Sequence, residues 1–294
     1  MQSQKQKRIL VCGKGEIGLA LGQIAENAGF TVDYYDPPQD VFPPDRSDDL
    51  TFEGYDVIHV CFPIKTVNEI YPLMTYAEMD AVIIIDATIP LGIATEINRM
   101  FLDEGYAQLL LHSPVRGKHP DMIGGLKKYV KFVGPADPSR VIETAKFCHF
   151  YYGKLGIEWE LLSSAENAAA GKLIDTTWYL TQIVFANQVA VFCAQHDLKF
   201  EDVYTAFQET ADTGKKFVQV DGRAVCDEYV PRPVMIPGSI GGHCLLPNLE
   251  LLKPHISPAF YSWVRQMHEY FASDVKTFVE NKGTATAAHE GDRE

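Results

Sequence analysis

Residues 8–36 read RILVCGKGEIGLALGQIAENAGFTVDYYD, and this stretch decides the fold. An apolar run, RILVC, leads into Gly13, Gly15 and Gly18 at G-x-G-x-x-G spacing, and the glycines open a segment with Ile17, Leu21 and Ala25 at helical intervals. Gly29 closes that segment as a C-cap, and a second apolar run, FTVDYY, ends in Asp36. Strand, glycine turn, helix and strand make a βαβ opening. Gly13 permits the tight turn, Gly15 lets a pyrophosphate approach the backbone, and Gly18 lets helix and strand pack closely. The N–H groups at the helix start, with Glu16 and Ile17 in its first turn, suit an anion. Asp36 stands where a carboxylate accepts hydrogen bonds from adenosine ribose hydroxyls and repels a 2′-phosphate. Pro37 and Pro38 follow where an arginine would serve NADP, so the expected cofactor is NAD.

Beyond this opening, the runs YDVIHVCF, AVIIIDAT, AQLLLHSP, KYVKFVG and IEWELL alternate with polar or amphipathic stretches, as βα units do. Their near-continuous apolar character fits strands covered on both faces. The expectation is an α/β chain: a Rossmann-like doubly wound parallel sheet over residues 1–162, then an all-helical second domain over 163–282 built on one long helix from about Ser163 to Gln195. The second half of that helix, WYLTQIVFANQVAVFCA, is apolar nearly all round and must be wrapped by other helices or a second subunit, which predicts a homodimer through the long helix. Further helices are expected from Pro138 to about Tyr152, near Phe200–Thr213 and near Pro258–Asn281. Between the last two lies VPRPVMIPGSIGGHCLLPN, without clear periodicity, and residues 283–294 form a polar tail expected to be disordered.

Of 294 residues, 46% are apolar and 22% charged, which is the balance of a globular protein with real cores. A formal charge of −13 with no basic patch argues against nucleic acid as a partner. The start, MQSQKQKR, leads into an apolar run broken by Gly13, Lys14 and Glu16, unlike a signal peptide, and no other run suits a membrane span; a cytoplasmic protein is expected. The six cysteines show no C-x-x-C pair, so neither a disulfide framework nor a metal site is expected, and Cys12, Cys61 and Cys193 read as small buried hydrophobes.

Three clusters, DATIPLG, HSPVRGKHPD and GSIGGHC, are polar where a plain core would not be. DATIPLG and HSPVRGKHPD follow the fourth and fifth strands, at the edge where open α/β sheets bind ligands. Thr88, Pro90, Ser113 and Arg116 are therefore candidates for the nicotinamide and substrate side, with Pro63 after the third strand added to the cofactor set. Lys172, in AAAGKLIDTTW, shares a helical stripe with Thr176, Tyr179 and Ile183; it either does chemistry or snorkels to solvent. Cys244 follows GSIGGH, where glycine N–H groups and His243 bear on the thiol, and a nucleophile and an inert cysteine both remain open.

At these residues the chain resembles the nucleotide-sugar (UDP-glucose/GDP-mannose) dehydrogenase family. GKGEIG with Asp36 is similar to its NAD fingerprint, DATIPLG to its Ser-Thr-Val-Pro-x-Gly segment, AENAAAGKLIDTTWYLTQIVFANQVA to its lysine-bearing helix, and PGSIGGHC to its Gly-Gly-x-Cys loop. The resemblance implies that Cys244 captures an aldehyde as a thiohemiacetal on the way to a thioester, that Lys172 stabilises the reacting oxygen, and that Thr88 lies near the nicotinamide. The chain departs from the pattern at Val115 for a Glu, Thr176 for an Asn and Asn248 for an Asp, and by the resemblance Thr176, His243 and Asn248 join Ser113 and Arg116 as candidate substrate residues. Fifty residues after Cys244 are too few for the family's third, nucleotide-sugar-binding domain, so a relative without it is expected. HSPVRGK and the chain length also resemble the β-hydroxyacid dehydrogenases. That likeness implies a single hydride transfer, with Ser113, Arg116 and Gly117 on a carboxylate and Lys172 as the proton-transfer group. A small-molecule substrate is common to both, and a catalytically silent NAD-binding protein is the third reading.

Overall fold

The computed structural model describes residues 7–36, 54–64, 66–70, 73, 77–117, 121–209, 217–220, 223–226 and 245–270, the stretches within 217–226 as backbone. The chain divides into two compact units, Met1–Leu173 and Ile174–Glu294.

Seven strands build the first unit: β1 (Arg8–Cys12), β2 (Thr31–Tyr35), β3 (Tyr55–Val60), β4 (Ala77–Ile85), β5 (Leu109–His112), β6 (Lys131–Pro135) and β7 (Trp159–Leu161). They form one sheet in the order β2-β1-β3-β4-β5-β6-β7. Every neighbouring pair is parallel except β5 and β6. The helices are α1 (Glu16–Asn27), α2 (Ile93–Asp103), α3 (Met122–Lys128), α4 (Val141–Leu155) and the head of α5 (Ala165–Gln195). Side chains alternate across the strands. Ile9, Val11, Val57, Ile84 and Leu111 enter one core with Leu21 and Ile24 of α1 and Tyr151, Tyr152 and Leu155 of α4. Leu10, Ile58, Ile83, Ile85 and Leu110 enter the opposite core with Ile97 and Phe101 of α2 and Ala165 and Ala169 of α5. Burial on both faces is why these strands read as unbroken apolar runs.

The division inside α5, later than the expected boundary after residue 162, has a packing reason. Ala165 and Ala169 belong to the sheet's own core, and a Cβ on Gly134 of β6 would come within 2.0 Å of the Ser164 carbonyl oxygen.

In the second unit the rest of α5 packs two apolar clusters. Leu180 and Val184 meet Leu245, Leu249 and Val264, while Ala186, Ala190 and Cys193 meet Phe200 and Tyr204. That double engagement accounts for a helix apolar nearly all round. A π-helical turn, Glu201–Thr205, runs into α6 (Ala206–Glu209), and later come α7 (Leu245–Leu252) and a helix at 258–270, α8. To the expected helices the structure adds an antiparallel hairpin, β8 (Phe217–Val220) with β9 (Arg223–Cys226). The alternating FVQV and RAVC around Asp221-Gly222 were its sequence signal. Among the described residues no helix is long and apolar enough to cross a membrane. The expected tail at 283–294 lies outside the described residues.

Candidate active site

The glycine loop lies at the carboxyl edge of β1. Gly13, at φ +103, donates its N–H to the Tyr35 carbonyl at 2.7 Å, and a Cβ there would stand 3.1 Å from the Cys61 carbonyl carbon and the Phe62 nitrogen. A Cβ on Gly18 would lie 1.8 Å from the Gly13 carbonyl oxygen, so helix and turn touch directly. Gly15, the N-cap of α1, is extended, and a Cβ on it would meet nothing within 4 Å. It borders open space at a helix N-terminus, with Glu16 exposed and Ile17 half-buried beside it. Asp36 follows β2 and its Oδ1 accepts the Lys14 N–H at 3.0 Å. The loop and the carboxylate fit the diphosphate and ribose of a dinucleotide. Pro63 and Thr88 follow β3 and β4, the next strands along the same edge.

Beneath this edge lies a chain of polar groups that sequence reasoning missed. His59, Asp86, Lys131 and Tyr151 are at most 3% exposed. A carboxylate accepts only, so His59 donates Nδ1–H to Asp86 Oδ2 at 2.6 Å and its Nε2 accepts the Tyr151 hydroxyl at 2.6 Å. Lys131 Nζ donates to Asp86 Oδ1 at 2.7 Å and to the Ser113 carbonyl at 2.6 Å. Burial alone would push the Asp86 carboxyl up, yet the neighbouring Lys131 and His59 hold it below its ordinary value. Burial, followed by the Asp86 charge, pushes the Tyr151 phenol well up, which keeps its proton in place. A histidine, an aspartate and a lysine inside or ending apolar strands were the available signal.

Ser113 is fully buried, and its hydroxyl, expected to meet substrate, donates to the Phe132 carbonyl at 2.9 Å. Val115, where a Glu was expected, is also buried and gives its N–H to the Asp86 carbonyl at 3.2 Å. Arg116 is half-buried with its guanidinium over the Tyr129 and Phe132 rings, 5.4 and 5.6 Å from their centroids.

The head of α5 is tied to the segment that follows β4. Glu166 accepts the Gly92 N–H and the Thr95 hydroxyl, each at 2.8 Å. His112 lies between the Ala165 and Ala87 carbonyl oxygens at 3.3 and 3.2 Å, and burial, partly opposed by those two contacts, pulls its pKa down to about 4. Lys172 is half-buried and follows Glu166 within about two helical turns. In the second unit Asn248 donates to the Thr176 hydroxyl at 3.2 Å, which joins two expected substrate residues in one buried pair. Cys244 and His243 lie outside the described residues.

No protein-family model and no curated protein matches the sequence. Solved structures do. UDP-D-ManNAc dehydrogenase of Pyrococcus horikoshii aligns over 90% of this chain and 68% of its own, at TM-score 0.69 and 21% identity. NDP-N-acetyl-D-galactosaminuronic acid dehydrogenase of Methanosarcina mazei Go1 aligns over 97% and 70%, at 0.62 and 18%. Mycobacterium tuberculosis 3-hydroxyisobutyrate dehydrogenase, solved with L-serine, aligns over 94% of both chains, at 0.60 and 17%. These likenesses establish the fold, a Rossmann-like sheet followed by a helical part, and they fall in the two groups that the motifs resemble.

Proposed function

We propose that the protein is an NAD-dependent dehydrogenase that oxidises an alcohol on a sugar-like or hydroxyacid substrate. The observation that carries this reading is the cradle: a tight loop from Gly13 to Gly18, open space beside Gly15, and Asp36 bonded into the loop by Lys14. In this reading Gly13, Gly15, Glu16, Ile17 and Gly18 hold the diphosphate, Asp36 holds the adenosine ribose, and Pro63 and Thr88 flank the nicotinamide. NAD, when bound, supplies a hydride acceptor. Lys172 steadies the reacting oxygen and moves its proton, and Arg116 reads an anionic end of the substrate. The test is calorimetry with NAD, followed by absorbance of NADH with 3-hydroxy acids and nucleotide sugars. Failure to bind NAD removes the reading, whereas binding without turnover of any substrate favours a silent NAD-binding protein.

The likeness to nucleotide-sugar dehydrogenases supports a second reading, in which Cys244 carries a four-electron oxidation. Two NADH per substrate, falling to one in Cys244→Ser, would favour it; one NADH with the thiol dispensable favours the hydroxyacid type.

The working form in this proposal is a homodimer through α5. Ile174, Trp178, Phe185 and Phe192 are 45–62% exposed and fall on one stripe of that helix, three of them at heptad spacing. A second copy of the same helix covers such a stripe with the same residues. Sedimentation of Phe185→Glu as a monomer, beside a dimeric parent, is the expected result, and a monomeric parent would refute it.

A further inference from the structure

Lys131 opens β6 at 3% exposure, and the chemistry proposed above has no use for it. A buried ion pair is weak evidence for stability, since apolar residues of similar volume often serve as well. Its contacts point to placement. The Lys131 ammonium holds the Asp86 carboxylate at 2.7 Å and the Ser113 carbonyl at 2.6 Å, and the Asp86 main-chain carbonyl accepts the Val115 N–H at 3.2 Å. The Lys131 N–H donates to the Glu158 carbonyl at 2.8 Å, which fixes the residue in the sheet. Its sequence neighbours Tyr129 and Phe132 carry the Arg116 guanidinium on their rings. One short segment, 129–132, therefore grips the strap 113–116 at both ends.

We propose that Lys131 is a positioning residue for anion recognition: by pinning Ser113 and neutralising Asp86 it sets the strap whose Arg116 receives the carboxylate of a 3-hydroxy acid. This rests on the reading that the strap meets substrate. The lysine acts through Arg116 and touches no reacting atom.

The test combines Lys131→Met with Asp86→Asn, so that no buried charge is stranded, and follows the Arg116 Nε–H resonance, assigned by its loss in Arg116→Lys. NAD affinity by calorimetry and turnover of L-serine and 3-hydroxyisobutyrate with NAD complete it. In the folded double variant the Arg116 resonance loses its ring-current shift and NAD affinity stays within about twofold. KM for the acids rises about tenfold or more while kcat changes far less. Lys131→Gln with Asp86→Asn, which keeps a donor for the Ser113 carbonyl, restores both readouts in part. An unchanged resonance in the folded double variant overturns the proposal. Should that variant not fold, an unchanged resonance in Phe132→Leu, at a half-buried position, overturns it as well. A shifted resonance without turnover of either acid by the parent retains the positioning role and overturns the carboxylate ligand. Lack of NAD binding by the parent refutes the dinucleotide reading separately.

Discussion

The main-chain N–H of Lys14 donates to Asp36 Oδ1 across 3.0 Å, so the carboxylate at the tip of β2 is held as part of the glycine loop. A hydrogen bond to a charged group contributes about 1.5–3 kcal/mol. Asp36→Ala should therefore weaken NAD binding by about tenfold or more. NADP should lose less, because the same carboxylate repels a 2′-phosphate. Calorimetry with both dinucleotides checks this, and equal losses would count against a ribose role.

Gly15 and Gly18 should part company when each becomes Ala. The new methyl at 18 would sit 1.8 Å from the Gly13 carbonyl oxygen, an overpacking worth about 1–3 kcal/mol or more of lost stability. The methyl at 15 meets nothing within 4 Å, so unfolding should shift by no more than about 0.5 kcal/mol. NAD affinity should nevertheless fall about tenfold, because that methyl takes space a diphosphate needs. Thermal unfolding with and without NAD separates the two effects.

Lys131→Met alone leaves the Asp86 carboxylate buried with His59 and should cost about 3–5 kcal/mol of stability. Adding Asp86→Asn should recover most of that loss, since Asn still accepts from His59. Urea unfolding of the parent, the single and the double variant gives the coupling directly. Simple additivity would mean that the 2.7 Å pair does not interact in the folded state.

His112 sets a pH dependence whose sign follows from its pKa, lowered from 6.5 to about 4 by burial. Between those values the unfolded chain binds a proton that the folded chain refuses, so stability is present above the ordinary value and declines as pH falls toward 4. The loss should total about 3 kcal/mol. Denaturant midpoints from pH 7 to pH 4 should fall for the parent and flatten for His112→Gln. Parallel curves would assign the slope to other groups.

The tight glycine turn and its helix were legible in the sequence because everything they need lies within one βαβ unit, and a glycine at a fixed spacing has few substitutes. Seven apolar runs likewise became seven strands. The polar chain beneath the site was not legible. Its bonds join residues 27, 45 and 92 positions apart, and spacing carries no record of such partners. Ser113 shows the same limit: its residue type suggested an open donor, while antiparallel entry of β6 brings the Phe132 carbonyl to its hydroxyl. The division within α5 depends on which alanines meet the sheet, and the run AENAAAG holds several.

Because β6 runs against β5, the chain leaves the ligand edge after His112 and comes back to it at Lys131. The excursion thus has its two ends side by side, while Val115, Met122 and Leu126 within it belong to the sheet's own core. Exchanging its exposed positions alone between relatives should therefore alter substrate preference and leave both the core and the affinity for a dinucleotide as they were.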